Sequence, residues 1–130
     1  MKKTLTAAFV LSLFAGQALA DPLYGIWATT PDDNGNSGHI RVEACGDAIC
    51  GTLIKSFDSA GKEMASENIG KLIIWDMKPK GNGKYGGGKV WSPDRDQTYA
   101  SKMVLDGDTV KVSGCVLVVC RDGGTWTRVE

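Results

Sequence analysis

Thr98-Tyr99-Ala100-Ser101-Lys102-Met103-Val104-Leu105-Asp106-Gly107-Asp108-Thr109-Val110-Lys111-Val112-Ser113 alternates in polarity on both sides of a glycine turn. In its first half Tyr99, Met103 and Leu105 share one face, with Thr98, Ala100 and Lys102 opposite. In its second half Val110 and Val112 alternate with Thr109, Lys111 and Ser113. A period of two marks half-buried antiparallel strands. Asp106-Gly107 between the two runs marks a hairpin, because glycine tolerates the positive φ that tight turns demand.

The same texture extends outward along the chain. Further strands are predicted over Tyr24 to Thr30, Gly38 to Cys45, Cys50 to Phe57, Lys71 to Met77, Lys84 to Trp91 and Gly124 to Val129. In the second of these Ile40, Val42 and Ala44 face one way and His39, Arg41 and Glu43 the other. Only Ser59 to Gly70 offers a helical pattern, one or two turns carrying Met64, Ala65 and Ile69. Short strands separated by frequent turns mean a sandwich or a barrel. A meander of consecutive hairpins favours the barrel, which leaves no edge strand exposed. The expected fold is therefore all-β, a small antiparallel up-and-down β-barrel with at most one short helix.

The N-terminus reads as an export signal. Lys2 and Lys3 precede an apolar run from Ala7 to Phe14 broken only by Ser12, and Ala18-Leu19-Ala20 supplies the small residues a signal peptidase requires. The run is too short to span a bilayer, which takes about 20 residues, and Asp21 stands where a lipid-anchored protein would carry cysteine. Residues 1–20 are thus expected to be cleaved, leaving 21–130 as one domain in the periplasm or secreted. Loss of Lys2 and Lys3 leaves 13 basic against 15 acidic residues. That balance offers no basic footprint for nucleic acid or an anionic membrane, and no later segment is apolar enough to make an integral membrane protein.

Several spaced motifs now coincide: Gly25-Ile26-Trp27, Cys50-Gly51, Gly88-Lys89-Val90-Trp91-Ser92-Pro93, Tyr99, Val112-Ser113-Gly114-Cys115 and Trp126-Thr127-Arg128. In this order they resemble a family of small secreted bacterial proteins described only as domain of unknown function 2147. The resemblance runs from Gly25 to Val129. It implies a calycin-like, lipocalin-related barrel and carries no established activity. Val118-Val119 departs from the pattern, in which a glycine would turn the chain between the last two cysteines.

In a barrel the first and last strands are neighbours, so Trp27 and Arg128 can meet at one end. A guanidinium over an indole face contributes about 0.5–2 kcal/mol, and the lipocalins this chain resembles use such a Gly-x-Trp and arginine pair as a structural clamp. The alternation assigns Leu72, Ile74, Tyr99, Met103, Leu105, Val110 and Val112 to the barrel interior, where they are candidates to line a cavity.

Four cysteines stand in two equally spaced pairs, Cys45/Cys50 and Cys115/Cys120. An even count behind an export signal points to disulfides rather than a metal site. Cys45 and Cys50 flank a hairpin tip and face each other. A straight strand from Cys115 to Cys120 would hold the second pair about 17 Å apart, so that bond needs a bend. Two local bridges are favoured; a crosswise pairing of the two hairpins is the alternative.

Other chemical candidates are weaker. His39, the single histidine, shares a strand face with Arg41 and Glu43 and has no nucleophile motif to serve. Asp32-Asp33-Asn34-Gly35-Asn36 matches part of a calcium loop, with Glu43 at position 12, but Ser37 replaces the glycine at position 6 and no helices flank it. Such residues are what turns are made of. Gly86-Gly87-Gly88-Lys89 lacks the Ser/Thr and helix of a phosphate loop and reads as a strand bulge. Asp94 and Asp96 flank Arg95 in a turn with an internal charge pair. No metal, cofactor or catalytic group is expected, and the protein is read as a non-enzyme. Two functions remain: a small barrel binding a hydrophobic or amphipathic small molecule, or a side-chain-filled structural or interaction protein of the envelope.

Overall fold

The computed structural model describes residues 20–130, so the expected signal peptide lies outside the described residues. Nine antiparallel strands form one sheet: β1 (Gly25–Ala28), β2 (Ser37–Cys45), β3 (Ala48–Phe57), β4 (Glu63–Met64), β5 (Leu72–Gly81), β6 (Lys84–Ser92), β7 (Gln97–Asp106), β8 (Thr109–Val116) and β9 (Val119–Arg128). Eight of them close into a ring, because β1 pairs with both β2 and β9 and β2 also pairs with β3. The two-residue β4 only flanks β3. The fold is an up-and-down β-barrel with no helix among the described residues.

The opening stretch is the β7–β8 hairpin, in register from Ala100↔Cys115 to Asp106↔Thr109. The β5–β6 hairpin turns at Asn82-Gly83, with φ of 56° and 75°. Two successive positive angles are the type I′ requirement that Asn-Gly meets. Ser59 to Gly70 is not helical. The Asp58 carboxylate accepts from the backbone N–H of Ala60 and Lys62, both at 2.9 Å, and Ser66 Oγ accepts from Asn68 at 3.1 Å. Gly70 donates its N–H to Leu53 of β3 instead of to a helical turn. Short polar side chains thus took the backbone groups that a helix would have used.

Since every neighbour in the ring is antiparallel, the two ends of the barrel differ. The turns at 46–47, 82–83 and 107–108 gather at one end, the base, with residues 21–24 and 129–130. The connections at 29–36, 58–71, 93–96 and 117–118 gather at the other, the mouth.

The base is solid. Leu23, Trp27, Ile74, Met77, Met103 and Val110 have almost no exposure there and belong to one hydrophobic cluster. The Arg128 guanidinium lies 4.3 Å from the centre of the Trp27 ring, opposite it in the β1–β9 register. It donates to the carbonyls of Tyr24 (2.9 Å) and Pro22 and pairs with Asp108 at 3.1 Å, while the Trp27 indole N–H donates to Leu23 at 2.9 Å. Residues 21–24 are thereby drawn across the base. Asp21 caps them from the far side, accepting from the Leu23 N–H and from the Tyr85 hydroxyl. Burial first, and then that carboxylate, hold Tyr85 well above the ordinary phenol range.

Backbone irregularities fit the strands to this closed shape. Thr52 pairs with Leu72 while Gly51 pairs with Ile74, so Ile73 is an additional residue on β5. Gly86-Gly87-Gly88 holds another bulge, since Tyr85 pairs with Met103 and Gly88 with Ser101. A side chain at Gly88 would collide with the Trp75 carbonyl and with Met77.

Two expected outcomes follow from the base. Arg128→Lys keeps one charge but loses the planar stack and the fork of donors, and should destabilise by about 1–2 kcal/mol, or roughly 5–15 °C in Tm by calorimetry. A raised tyrosine pKa means stability that is fully present below the unfolded value near 10 and lost as pH rises beyond it. Tyr85→Phe should therefore cost about 1–2 kcal/mol at pH 8 and flatten the alkaline fall in stability, measured by urea titration from pH 8 to 11.

Candidate functional site

The upper half of the barrel is hollow because inward residues on three strands shrink toward the mouth. Along β2 they run Val42, Ile40, Gly38 from base to mouth; along β8 Val110, Val112, Gly114; along β9 Trp126, Gly124. Ser37, Ser56 and Thr29 continue the series of small side chains. The result is a cavity of about 810 Å³ open at the mouth. Its floor is apolar and buried, formed by Ile40, Leu53, Ile73, Val112 and Trp126. Its upper wall is polar, and its charged groups are Asp32, Asp33, Asp94 and Asp122 against Arg95 and Arg121.

The mouth loops are held by local bonds. Asp32 Oδ1 accepts from the N–H of Asn34 (2.8 Å) and Asn36 (3.0 Å), an Asx-type turn that occupies the carboxylate considered for calcium. Arg95 does not pair within its own turn. It reaches across the mouth to Asp33 at 3.1 Å, while Asp94 accepts from Ser92 and Asp96 from the Trp91 indole. Both partners of the Arg95–Asp33 pair are mostly exposed, so solvent screens the pair and it can open readily. His39 lies away from the cavity, half-buried on the Phe57 ring at 4.7 Å, and burial followed by the nearby Lys55 charge lowers its pKa.

The candidate cavity residues separate into three groups. Tyr99 and Val112 line the cavity. Ile74, Met103 and Val110 are buried in the packed cluster, with Leu105 partly buried against it. Leu72 does not face inward: it is 44% exposed, in a shallow outer groove with Lys71, Trp75 and Trp91. The additional residue on β5 is the reason, since it turns Ile73 and Ile74 both inward and leaves Leu72 outside. Simple alternation missed Ile73 for the same reason. Trp126 carried a readable signal, a large apolar residue between two threonines on a strand, whereas Leu53 beside Ile54 did not; only strand register gives them a common floor.

The cysteines pair locally. Cys115 and Cys120 are directly opposed in register with Cα atoms 4.0 Å apart, because the chain reverses at Leu117-Val118. Cys45 and Cys50 do not face each other: Cys45 opposes Ala48 and Cys50 opposes Glu43, and their bond runs diagonally over 5.7 Å between Cα atoms. The first bridge is at the base and the second at the mouth, which keeps a crosswise pairing out of reach.

No helix among the described residues is long and apolar enough to cross a membrane. No curated protein matches the chain. The protein HP1028 from Helicobacter pylori, described as belonging to the lipocalin family, superposes with a TM-score of 0.66 at 15% identity over 83% of each chain. At that identity the likeness is one of fold, a lipocalin-like barrel. The family model described as "Uncharacterized protein conserved in bacteria (DUF2147)" matches residues 25–128, nearly the whole barrel, and the chain belongs to that family.

Proposed function

We propose that this protein binds an amphipathic small molecule in the upper half of its barrel, in the periplasm or outside the cell. The observation that carries the reading is the cavity: about 810 Å³, with a buried apolar floor and a polar mouth open to solvent. Ligand sites of small molecules span about 300–1,000 Å³ and combine apolar walls with a few polar groups. Eight-stranded barrels of lipocalin type hold one small ligand. The apolar portion of the ligand sits on Ile40, Leu53, Val112 and Trp126, and its polar portion meets the mouth. With four aspartates against two arginines, one of them already paired to Asp33, the mouth favours a neutral or cationic head over an anionic one. Two disulfides support an oxidising compartment. The single histidine on the outer wall supports binding rather than catalysis.

Native mass spectrometry of protein purified from the periplasm should show a co-purifying lipid-like mass. Stripped protein should take up the neutral fluorophore Nile red. Ser56→Trp places an indole in the cavity and should weaken uptake at least tenfold without lowering Tm. A clean apo mass together with no dye uptake by the wild type would instead support a filled structural protein.

A further inference from the structure

The β8–β9 turn breaks the rule that tight turns are polar. Its residues Val116, Leu117, Val118 and Val119 are 62, 94, 95 and 62% exposed. Leu117 also holds φ at 55°, a conformation that glycine or asparagine adopts freely and a leucine does not. A large apolar side chain thus occupies a position whose backbone disfavours it, and solvent rewards neither the strain nor the exposure. The Cys115–Cys120 bond cinches the stem of the turn directly below. The turn is therefore a stiff projection rather than a loose loop. Val116 and Val119 also line the cavity, so an apolar track runs from Val112 and Trp126 over the rim to the tip.

We propose that this tip inserts into the surface of a lipid bilayer and seats the mouth of the barrel against it. The size of the patch selects this occupant. A stable protein interface takes about 20–30 residues a side, and four residues cannot hold a partner or a second copy of the chain. A bilayer needs no matching surface: a few aliphatic side chains enter its interface, with binding that scales with the apolar area buried. The charges at the mouth define the lipid. Four aspartates against two arginines disfavour an anionic surface, and the four tip residues are uncharged, so the seat fits a zwitterionic bilayer. Arg121, beside Cys120 and exposed, is placed to reach lipid phosphates at the rim. Seated in this way, the cavity opens onto the phase that stores amphipathic molecules. That last consequence rests on the binding function proposed above, whereas docking itself does not.

The test is co-sedimentation of the oxidised protein with phosphatidylcholine vesicles. The wild type should bind weakly and reversibly, with an apparent association constant no higher than the roughly 10⁴ M⁻¹ given by one myristoyl chain. Leu117→Asn/Val118→Asn, with asparagine suited to the positive φ, should lower binding at least tenfold while Tm and both disulfides are kept. Leu117→Gly should lower it with Tm equal or higher, since the strain is relieved. Added phosphatidylglycerol should not strengthen binding, and salt should not abolish it. Wild type that fails to sediment, tip variants that sediment like wild type, or binding confined to anionic vesicles and lost in salt would each overturn the proposal. Nile red uptake without vesicles is read in parallel. It should be unchanged in the tip variants, which separates failure of docking from failure of ligand binding.

Discussion

The seam between the first and last strands is the joint on which the barrel depends. β1 has four residues and meets β9 in register at only two positions, Trp27↔Arg128 and Ala28↔Thr127. Backbone bonds from Ile26 to Glu130 and from Val129 to Ile26 extend the contact by one turn of the ladder. The rest of the closure comes from side chains. The Arg128 guanidinium spreads over the buried indole and still has donors for two carbonyls and a carboxylate. Lysine could supply the charge but neither the plane nor the fork. At the mouth side of the same seam, Thr30 Oγ1 donates to the Thr125 carbonyl and accepts from the Thr125 N–H. The seam is thus locked at both ends by side-chain bonds that lie outside the backbone ladder.

That lock makes a half-filled barrel stable. A closed base lets Leu23, Trp27, Met77, Met103 and Val110 pack without solvent. The upper tier is then released from the task of holding the fold, and small residues there leave a hollow. The two architectures open at the level of sequence, a filled barrel and a hollow one, turn out to describe two halves of one molecule. A chain of this length can bury enough for stability in its lower half and still keep a cavity of ligand size above.

The disulfides divide in the same way. The base bridge ties a hairpin already held by nine register pairs between β2 and β3. The mouth bridge stiffens a projecting turn whose tip side chains, Leu117 and Val118, stand almost fully in solvent. Each closes a short loop and contributes on the order of 2 kcal/mol by chain entropy, but only the second shapes a surface.

Much of this was legible in the residues themselves. Alternation in Thr98 to Ser113, the Asp-Gly turn and the spacing of glycine clusters sufficed for an eight-stranded meander, because side-chain period and turn chemistry are local properties. Terminal Trp27 and Arg128 could be matched because closure brings the first and last strands together whatever lies between. What sequence alone could not supply is the consequence of register. The additional residue at Ile73 on β5 sends Leu72 outward, and no local pattern announces which pairing the neighbouring strand will accept. Likewise, the helical pattern of Ser59 to Gly70 lost to side-chain caps and to the exposed edge of β3, a competition settled only when β3 is in place. The strand count and the closure were written in the order of residues. The hollow, its floor and the apolar tip at its rim were decided by tertiary structure, since they depend on which side chains from distant strands arrive at the same height in the barrel.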